Sequence, residues 1–320
     1  MKHLQQFFKY LAECWTGFWF AGMSPYPMAL FRLLFGCYLL IYFLGGLNHI
    51  SLFYSNAGVY CPMFIPDVAP SPIVAFILYY TTVVLILALI AGYRVRIVAP
   101  LLLIFYLYHF CLNIWVRACS YDRLVAMALL ILCLAPSDEV LSVTARKRQT
   151  LIDPTVPAWP ARLLALHICL FYFSTGLYKV LSPDWHTGAI IKGVMTSEYS
   201  SDLAFAVVGL KLPSFLFDIM AVSVIIFELL CPFGFLIRDI SIKLAFSKTT
   251  IRLRRVQYYF FLAGILFHIG ISLFMQIPQF FICPVFYVLF MPVDDIRNML
   301  RSAQERFSRV RYASGLMYRS

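Results

Sequence analysis

The chain has 320 residues, of which 62% are hydrophobic and 13% charged, and its mean hydropathy is +0.82. Soluble domains carry about 25% charged residues, so this composition excludes a soluble globular fold and points to an integral membrane protein. The net charge of +11 would suggest nucleic acid in a soluble protein, but here it follows the membrane topology, and no basic-aromatic binding motif accompanies it.

The N-terminus lacks an apolar core followed by a small-residue cleavage site, so no signal peptide is expected. Residues 4–20, "LQQFFKYLAECWTGFWF", mix aromatics with Lys9 and Glu13, which suits a helix lying in the membrane interface. Apolar segments follow at about 28–47, 73–92, 97–116, 123–136, 161–181, 215–237, 256–276 and 279–292. They do not alternate as barrel strands would, so helices must satisfy the backbone in lipid. A span needs roughly 20 residues; the fourth and eighth segments are short, and the count is seven or eight.

Basic residues set the orientation. Loop 48–72 has no Lys or Arg, whereas Arg94, Arg96, Arg146, Lys147, Arg148 and the run Arg238 to Arg255 fall in alternate loops. The tail carries Arg297, Arg301, Arg306, Arg309, Arg311 and Arg319. With eight spans and the N-terminus inside, every basic cluster lies on one side, leaving Arg117, Arg123, Lys192 and Lys211 outside. That is the positive-inside pattern. The expected fold is an all-α, polytopic bundle of about eight transmembrane helices with both termini cytoplasmic. It divides into an interfacial segment 1–23, a membrane domain 24–293 and a basic tail 294–320. Cell membrane, a bacterial inner or a plasma membrane, is the expected location, and lipid the first partner.

Nine cysteines are scattered without Cys-x-x-Cys spacing. Compartment alone allows a disulfide between Cys61 and Cys119. The six histidines are dispersed, so no metal cluster is expected.

Ionisable residues within spans are functional candidates. His109, Asn113 and Arg117 share a helical stripe with Tyr106; Tyr172, Thr175 and Lys179 form a second; His268, Ser272 and Gln276 form a third. All three helices run outward, so the stripes are candidates to line one outward-opening cavity; the alternative is hydrogen bonding across the bundle. His167 lies on a different face from Lys179 and reads as packing. Arg32 and Glu228 lie at similar depths, which suggests an ion pair; Glu228 facing His268 is the alternative. Lys179, about 25 Å above Arg162 at 1.5 Å per residue, is either a snorkelling anchor or an inward-facing, desolvated amine able to act as base or nucleophile.

Several stretches, "ALFRLLFGCYLL", "LFYSNAGVYCP", "YFSTGLYKVLSPDWHTG", "FELLCPFGF" and "FHIGISLFMQIPQF", resemble the HTTM family, the transmembrane domain shared with vitamin K-dependent γ-glutamyl carboxylase. Gly-x-x-Lys followed by Asp-Trp-x-x-Gly is the most specific of these. In the carboxylase a lysine in this motif deprotonates vitamin K hydroquinone, and by position it matches Lys179. The resemblance implies a reactive amine at the outer face of a bacterial-type, stand-alone member, with a quinone such as reduced vitamin K as cofactor. His268 and Glu228 would support the cavity and Trp185 would cap its mouth. Two departures stand out. Tyr121-Asp122 replaces the carboxylase's Asn-His pair, and a basic tail replaces its propeptide-binding lumenal domain. Three functions therefore remain open: an enzyme acting on a quinone-like or secreted peptide substrate, a non-catalytic maturation or scaffold partner of a secreted protein, or a small-molecule transporter, which the lack of a detectable repeat and of paired broken helices disfavours.

Overall fold

The computed structural model describes residues 2–63, 69–114, 120–148, 154–243 and 247–317. For residues 2–3, 238–243, 247–255, 278 and 307–317 only the backbone is described. Arg117 and Cys119, and with the latter the expected disulfide, lie outside the described residues.

The chain is helical almost throughout. Helix α1 (Lys2–Phe20) leads into a two-residue strand β1 (Gly22–Met23) and the first long apolar helix, α2 (Tyr26–Gly45). A short α3 (Ile50–Tyr54) precedes α4 (Pro72–Ala91), α5 (Val95–Leu112) and α6 (Ser120–Leu134). Next come α7 (Val143–Arg148), strand β2 (Val156–Pro157) and α8 (Trp159–Leu181). The second half holds α9 (Ala189–Val194), α10 (Asp202–Gly209), α11 (Ser214–Lys243) and α12 (Ser247–Phe274). It closes with α13 (Ile282–Val285) and α14 (Val293–Met317).

Helices α2, α4, α5, α8, α11 and α12 are each long and apolar enough to cross a membrane. The other two expected spans differ. Helix α6 has 15 residues, about 22 Å at 1.5 Å per residue, short of the roughly 30 Å hydrocarbon core. It buries Leu124, Val125, Ala128, Leu129 and Leu132 against the bundle, so protein rather than lipid surrounds much of it. The eighth segment is not one helix. Pro278, Pro284 and Pro292 remove backbone donors, and the run breaks into 3₁₀ turns at Pro278–Phe281 and Phe286–Phe290 around α13. The axis then turns by 110° into α14. Among the described residues, six helices are thus long and apolar enough to span, or up to seven if that bent pair crosses as one.

Consecutive helices pack as antiparallel neighbours: α4 on α2 and α5, α6 on α5, and α11 on both α8 and α12. Phe31, Phe35, Leu39 and Phe43 of α2 are fully buried, and Phe31 stacks on Phe35 with centroids 5.5 Å apart. Side chains such as Ile41, Ile73, Leu134 and Leu181 face outward, as lipid-facing positions should. Where α2 and α8 begin, β1 pairs antiparallel with β2, and Arg162 lies 4.5 Å from the Phe18 ring centroid.

Arg32 organises this end. Its side chain is fully buried. Its Nη1 donates to the carbonyls of Leu89 and, at 2.7 Å, Ile90. Nη2 donates to Leu141 at 2.7 Å and Nε to Ser137 at 3.2 Å. Leu89 and Ile90 belong to the last turn of α4, whose carbonyls have no partner within the helix. A guanidinium there supplies donors and complements the helix dipole. The turn that lets it enter depends on Gly92, at φ +66°, where an added Cβ would lie 2.4 Å from Ser142 Cβ and 2.9 Å from Arg32 Nη1. The expected Arg32–Glu228 ion pair is therefore corrected: Arg32 binds backbone carbonyls of α4 and the 137–141 segment. Its hydrogen bonds go to carbonyls, and the acidic side chain whose charge acts on it is the buried Asp138, not Glu228.

Candidate functional site

Glu228 has a different partner. Lys179 Nζ lies 2.8 Å from Oε1 and 2.7 Å from Oε2 of Glu228, with side-chain exposures of 15% and 9%. Lys179 points into the bundle, against α11.

The residues around it explain the motif. Gly176, one turn before Lys179, lies against α11 so closely that an added Cβ would meet Glu228 Cβ and Leu229 Cγ at 3.1 Å. Small residues allow such helix approaches in membranes. Thr175 lies against the Glu228 carboxylate. Helix α8 ends at Leu181; Ser182 is extended and Pro183 opens a 3₁₀ turn. That turn swings the Trp185 ring back over Lys179 Nζ, 4.8 Å from the ring centroid. Gly188 then presses on α11: its backbone N–H donates to Asp218 Oδ1 at 2.6 Å, and a Cβ there would be 2.2 Å from the Phe217 carbonyl carbon. The two glycines bracket the lysine and the tryptophan and fix both to one neighbouring helix.

Beside the amine is a cleft of about 260 Å³ lined by Ser174, Thr175, Tyr178, Lys179 and Trp185. Ligand pockets run from about 300 to 1,000 Å³, so this cleft admits a reacting group rather than a whole amphiphile.

Two helical turns deeper on α8, Tyr172 anchors a second polar cluster. Its hydroxyl lies 2.7 Å from His268 Nε2 and 2.8 Å from the Tyr287 hydroxyl. Gly264 makes room for it: a Cβ there would sit 2.2 Å from the Tyr287 oxygen. His268 is 2% exposed, and its Nδ1 has no hydrogen-bond partner among the described residues. Glu228 therefore pairs with Lys179, while His268 is held by Tyr172.

The other candidate residues are occupied elsewhere. Tyr106 donates to Asp122 Oδ1 at 2.6 Å, and His109 Nε2 lies 3.1 Å from Thr82 Oγ1. Asn113 Nδ2 donates to the carbonyls of Phe53 and Val59 at 3.0 Å, tying the segment after α3 to α5. Ser272 Oγ donates back to the His268 carbonyl at 3.0 Å. Gln276 Nε2 reaches the Ser200 carbonyl at 3.3 Å. Of the three stripes expected to line one cavity, those on α8 and α12 meet through Tyr172 and His268. The α5 stripe is engaged with α4, α6 and the 53–59 segment instead.

Sequence reasoning missed Tyr287, Asp122 and Thr82 as partners. Tyr287 sits in a segment read as plain span, and a lone hydroxyl among aromatics gives no signal. Asp122 was visible, as the acidic residue where the carboxylase has histidine. Among the described residues no group of three or more His, Cys, Asp or Glu side chains is placed to hold a metal ion.

A family model for the HTTM domain matches residues 20–294. No curated protein and no solved structure matches the chain. The family match covers most of the sequence, including Arg32, the glycine-bracketed Lys179, Glu228 and His268, and the chain belongs to the HTTM family.

Proposed function

We propose that this multi-pass membrane protein of the HTTM family is an enzyme whose Lys179–Glu228 pair acts as an acid–base unit on a quinone-like or secreted peptide substrate at the outer face. The observation that carries this reading is the Lys179 amine held by both Glu228 oxygens, beneath Trp185 and beside a cleft.

A buried ion pair is weak evidence for stabilisation, since desolvating both charges offsets their attraction. A pair kept at the mouth of a cleft therefore suggests chemistry. In the resting pair Lys179 is an ammonium and Glu228 a carboxylate. Lys179 passes a proton to Glu228 and takes one from an acidic substrate O–H or N–H. The pair thus gains one proton: the substrate's is on Lys179, the lysine's former proton is on Glu228, and the restored ammonium faces the new anion. Fixed charge aimed at a developing anion is a large catalytic effect in a dry site. Trp185 covers the pair.

The family resemblance implies a reduced quinone. The donor set fits its head: Trp185 offers a ring face and Lys179 a polar partner, while the cleft volume leaves any tail in the bilayer. When bound, such a group supplies an acidic hydroxyl.

The test is mass spectrometry of envelope lipids and exported peptides from cells with and without the protein. A species present with the wild type should vanish in Lys179→Met and Glu228→Gln at equal protein level. Lys179→Arg should also be inactive, because arginine keeps its proton. Retention of the species in all three variants would remove the acid–base reading.

A second reading, a non-catalytic partner of a secreted protein, draws on Tyr199, Leu203, Phe205 and Leu210, which are exposed on the 182–213 connection. It predicts that Phe205→Ser and Leu210→Ser abolish the phenotype while Lys179→Met does not.

A further inference from the structure

The connection between α8 and α11 contains a helix, α10, that is apolar on both faces. One face is held by the bundle. Ser201 caps the helix: its Oγ accepts from the Ala204 N–H at 3.2 Å and donates to the Leu273 carbonyl at 2.6 Å. The Ser201 N–H donates to the Phe274 carbonyl at 3.1 Å, and the Gln276 N–H to the Tyr199 carbonyl at 2.7 Å. Ala204, Val207 and Val208, spaced i, i+3, i+4, pack on Met195, Phe217 and Phe274.

The opposite face is exposed. It presents Leu203, Phe205 and Leu210, which are 46%, 49% and 69% exposed. The only charged residue of α10 is Asp202 in its first turn, where the helix dipole favours it. A helix lying in water turns a polar face outward, and α10 has none to turn.

Three observations say what covers it. The first is level. The apolar stretches of α11 and α12 start at Ser214 and stop at Phe274, and α10 is joined to both at those ends, so it lies at the membrane boundary. The second is continuity. Leu212, Phe215 and Ile219 carry the exposed apolar surface from α10 onto α11, and Leu273 carries it onto α12. These spans meet lipid chains, and the face of α10 extends the same belt. The third is the rim. Tyr199 and Lys211 flank the helix and are exposed; aromatic and basic side chains are the usual anchors at headgroup level.

We propose that α10 lies in the membrane interface, with Leu203, Phe205 and Leu210 inserted among the acyl chains of the phospholipid leaflet at that end of the bundle. The 182–213 connection is then a cap anchored in lipid. This assigns to phospholipid the surface that the scaffold reading gives to a secreted protein, and it is independent of the acid–base reading at Lys179.

The probe is a phosphatidylcholine with a photoreactive diazirine on its acyl chain, close to the glycerol. The full chain is photolysed in nanodiscs containing it, and labelled peptides are identified by mass spectrometry. Residues 199–212 should be labelled alongside residues 215–219, the lipid-facing start of α11. Leu203→Ser combined with Phe205→Ser should lower labelling of 199–212 to background while 215–219 stays labelled, which reports that the chain remains inserted. Absence of label from 199–212 in the wild type, with 215–219 labelled, would overturn the proposal and leave the face to water or to a protein. Labelling of 199–212 that the two substitutions leave unchanged would also overturn it, because the lipid contact would not be made by this face.

Discussion

Arg32→Met removes the guanidinium while keeping an unbranched side chain in its place. The carbonyls of Ile90, Ser137 and Leu141 then lose the guanidinium as donor, and that of Leu89 keeps only the Gly92 N–H. Interhelical hydrogen bonds measured in membranes average about 0.6 kcal/mol each, whereas bonds to charged groups are worth about 1.5–3 kcal/mol. The lower figure suits carbonyls that water can reach at the end of the bundle; the higher suits a guanidinium as fully buried as this one. The four bonds together should therefore be worth about 2–12 kcal/mol. Relief of the desolvation cost of the cation pulls the result toward the lower half. Arg32→Lys keeps the charge but offers one nitrogen rather than a fork, so it should fall between. The assay is unfolding of the purified chain from mixed micelles by SDS titration, followed by tryptophan fluorescence. A loss below about 0.5 kcal/mol, the scale of ordinary surface substitutions, would refute the role assigned to Arg32. The same assay separates the observed arrangement from an Arg32–Glu228 pair. Losses from Arg32→Met and Glu228→Gln should add to within about 0.5 kcal/mol, as for independent sites; a strong coupling would contradict the separate partners described here.

Gly176→Val should force α8 from α11 and destabilise by about 1–3 kcal/mol, the usual cost of overpacking, measurable in the same titration; a neutral result would contradict the close approach at Glu228. Tyr172→Phe strands His268 Nε2 and the Tyr287 hydroxyl together, and should cost about 1–3 kcal/mol, with Tyr287→Phe costing less because the Tyr172–His268 bond survives. Asn113→Leu should speed amide hydrogen exchange across residues 53–59 while leaving α8 and α11 unchanged, since it releases the segment and not the bundle.

The helical framework was readable because lipid leaves no other choice: six long apolar runs became six long helices. What failed was local. Pro278, Pro284 and Pro292 were in plain view within or beside the last run, yet its hydropathy resembled a span. Hydropathy registers the solvent and not the missing backbone donors. The partner of Arg32 was unreadable because backbone carbonyls carry no sequence signal, and pairing charges by depth led to the wrong carboxylate. Depth also separated Lys179 from Glu228. Helix α11 is 30 residues long, about 45 Å at 1.5 Å per residue, well beyond the bilayer core. The edges of its apolar run therefore did not fix the level of Glu228. The long lysine stem closes the remaining gap by reaching inward. The motif Gly-x-x-Lys followed by Asp-Trp-x-x-Gly stood out by resemblance alone, and the structure gives its parts a physical place: Gly176 lets α8 approach α11, and the Pro183–Trp185 turn folds an aromatic back onto the amine. A cavity of about 900 Å³ between α2, the α3 region, Tyr79 and the 279–285 segment had no linear signature, because its walls come from four separate stretches of chain.

The most direct test is the reactivity of the Lys179 amine in oriented vesicles, read by peptide mass spectrometry after treatment with a small, membrane-impermeant acylating reagent. Lys179 should be modified from the side bearing the 182–213 connection and spared from the other. Glu228→Gln, which removes the carboxylate that grips the amine, and Trp185→Ala, which uncovers it, should each increase the yield. If Lys179 is modified only by reagents dissolved in the lipid, or is indifferent to both substitutions, the amine is not held in a solvent-reachable cleft by Glu228, and the acid–base account fails.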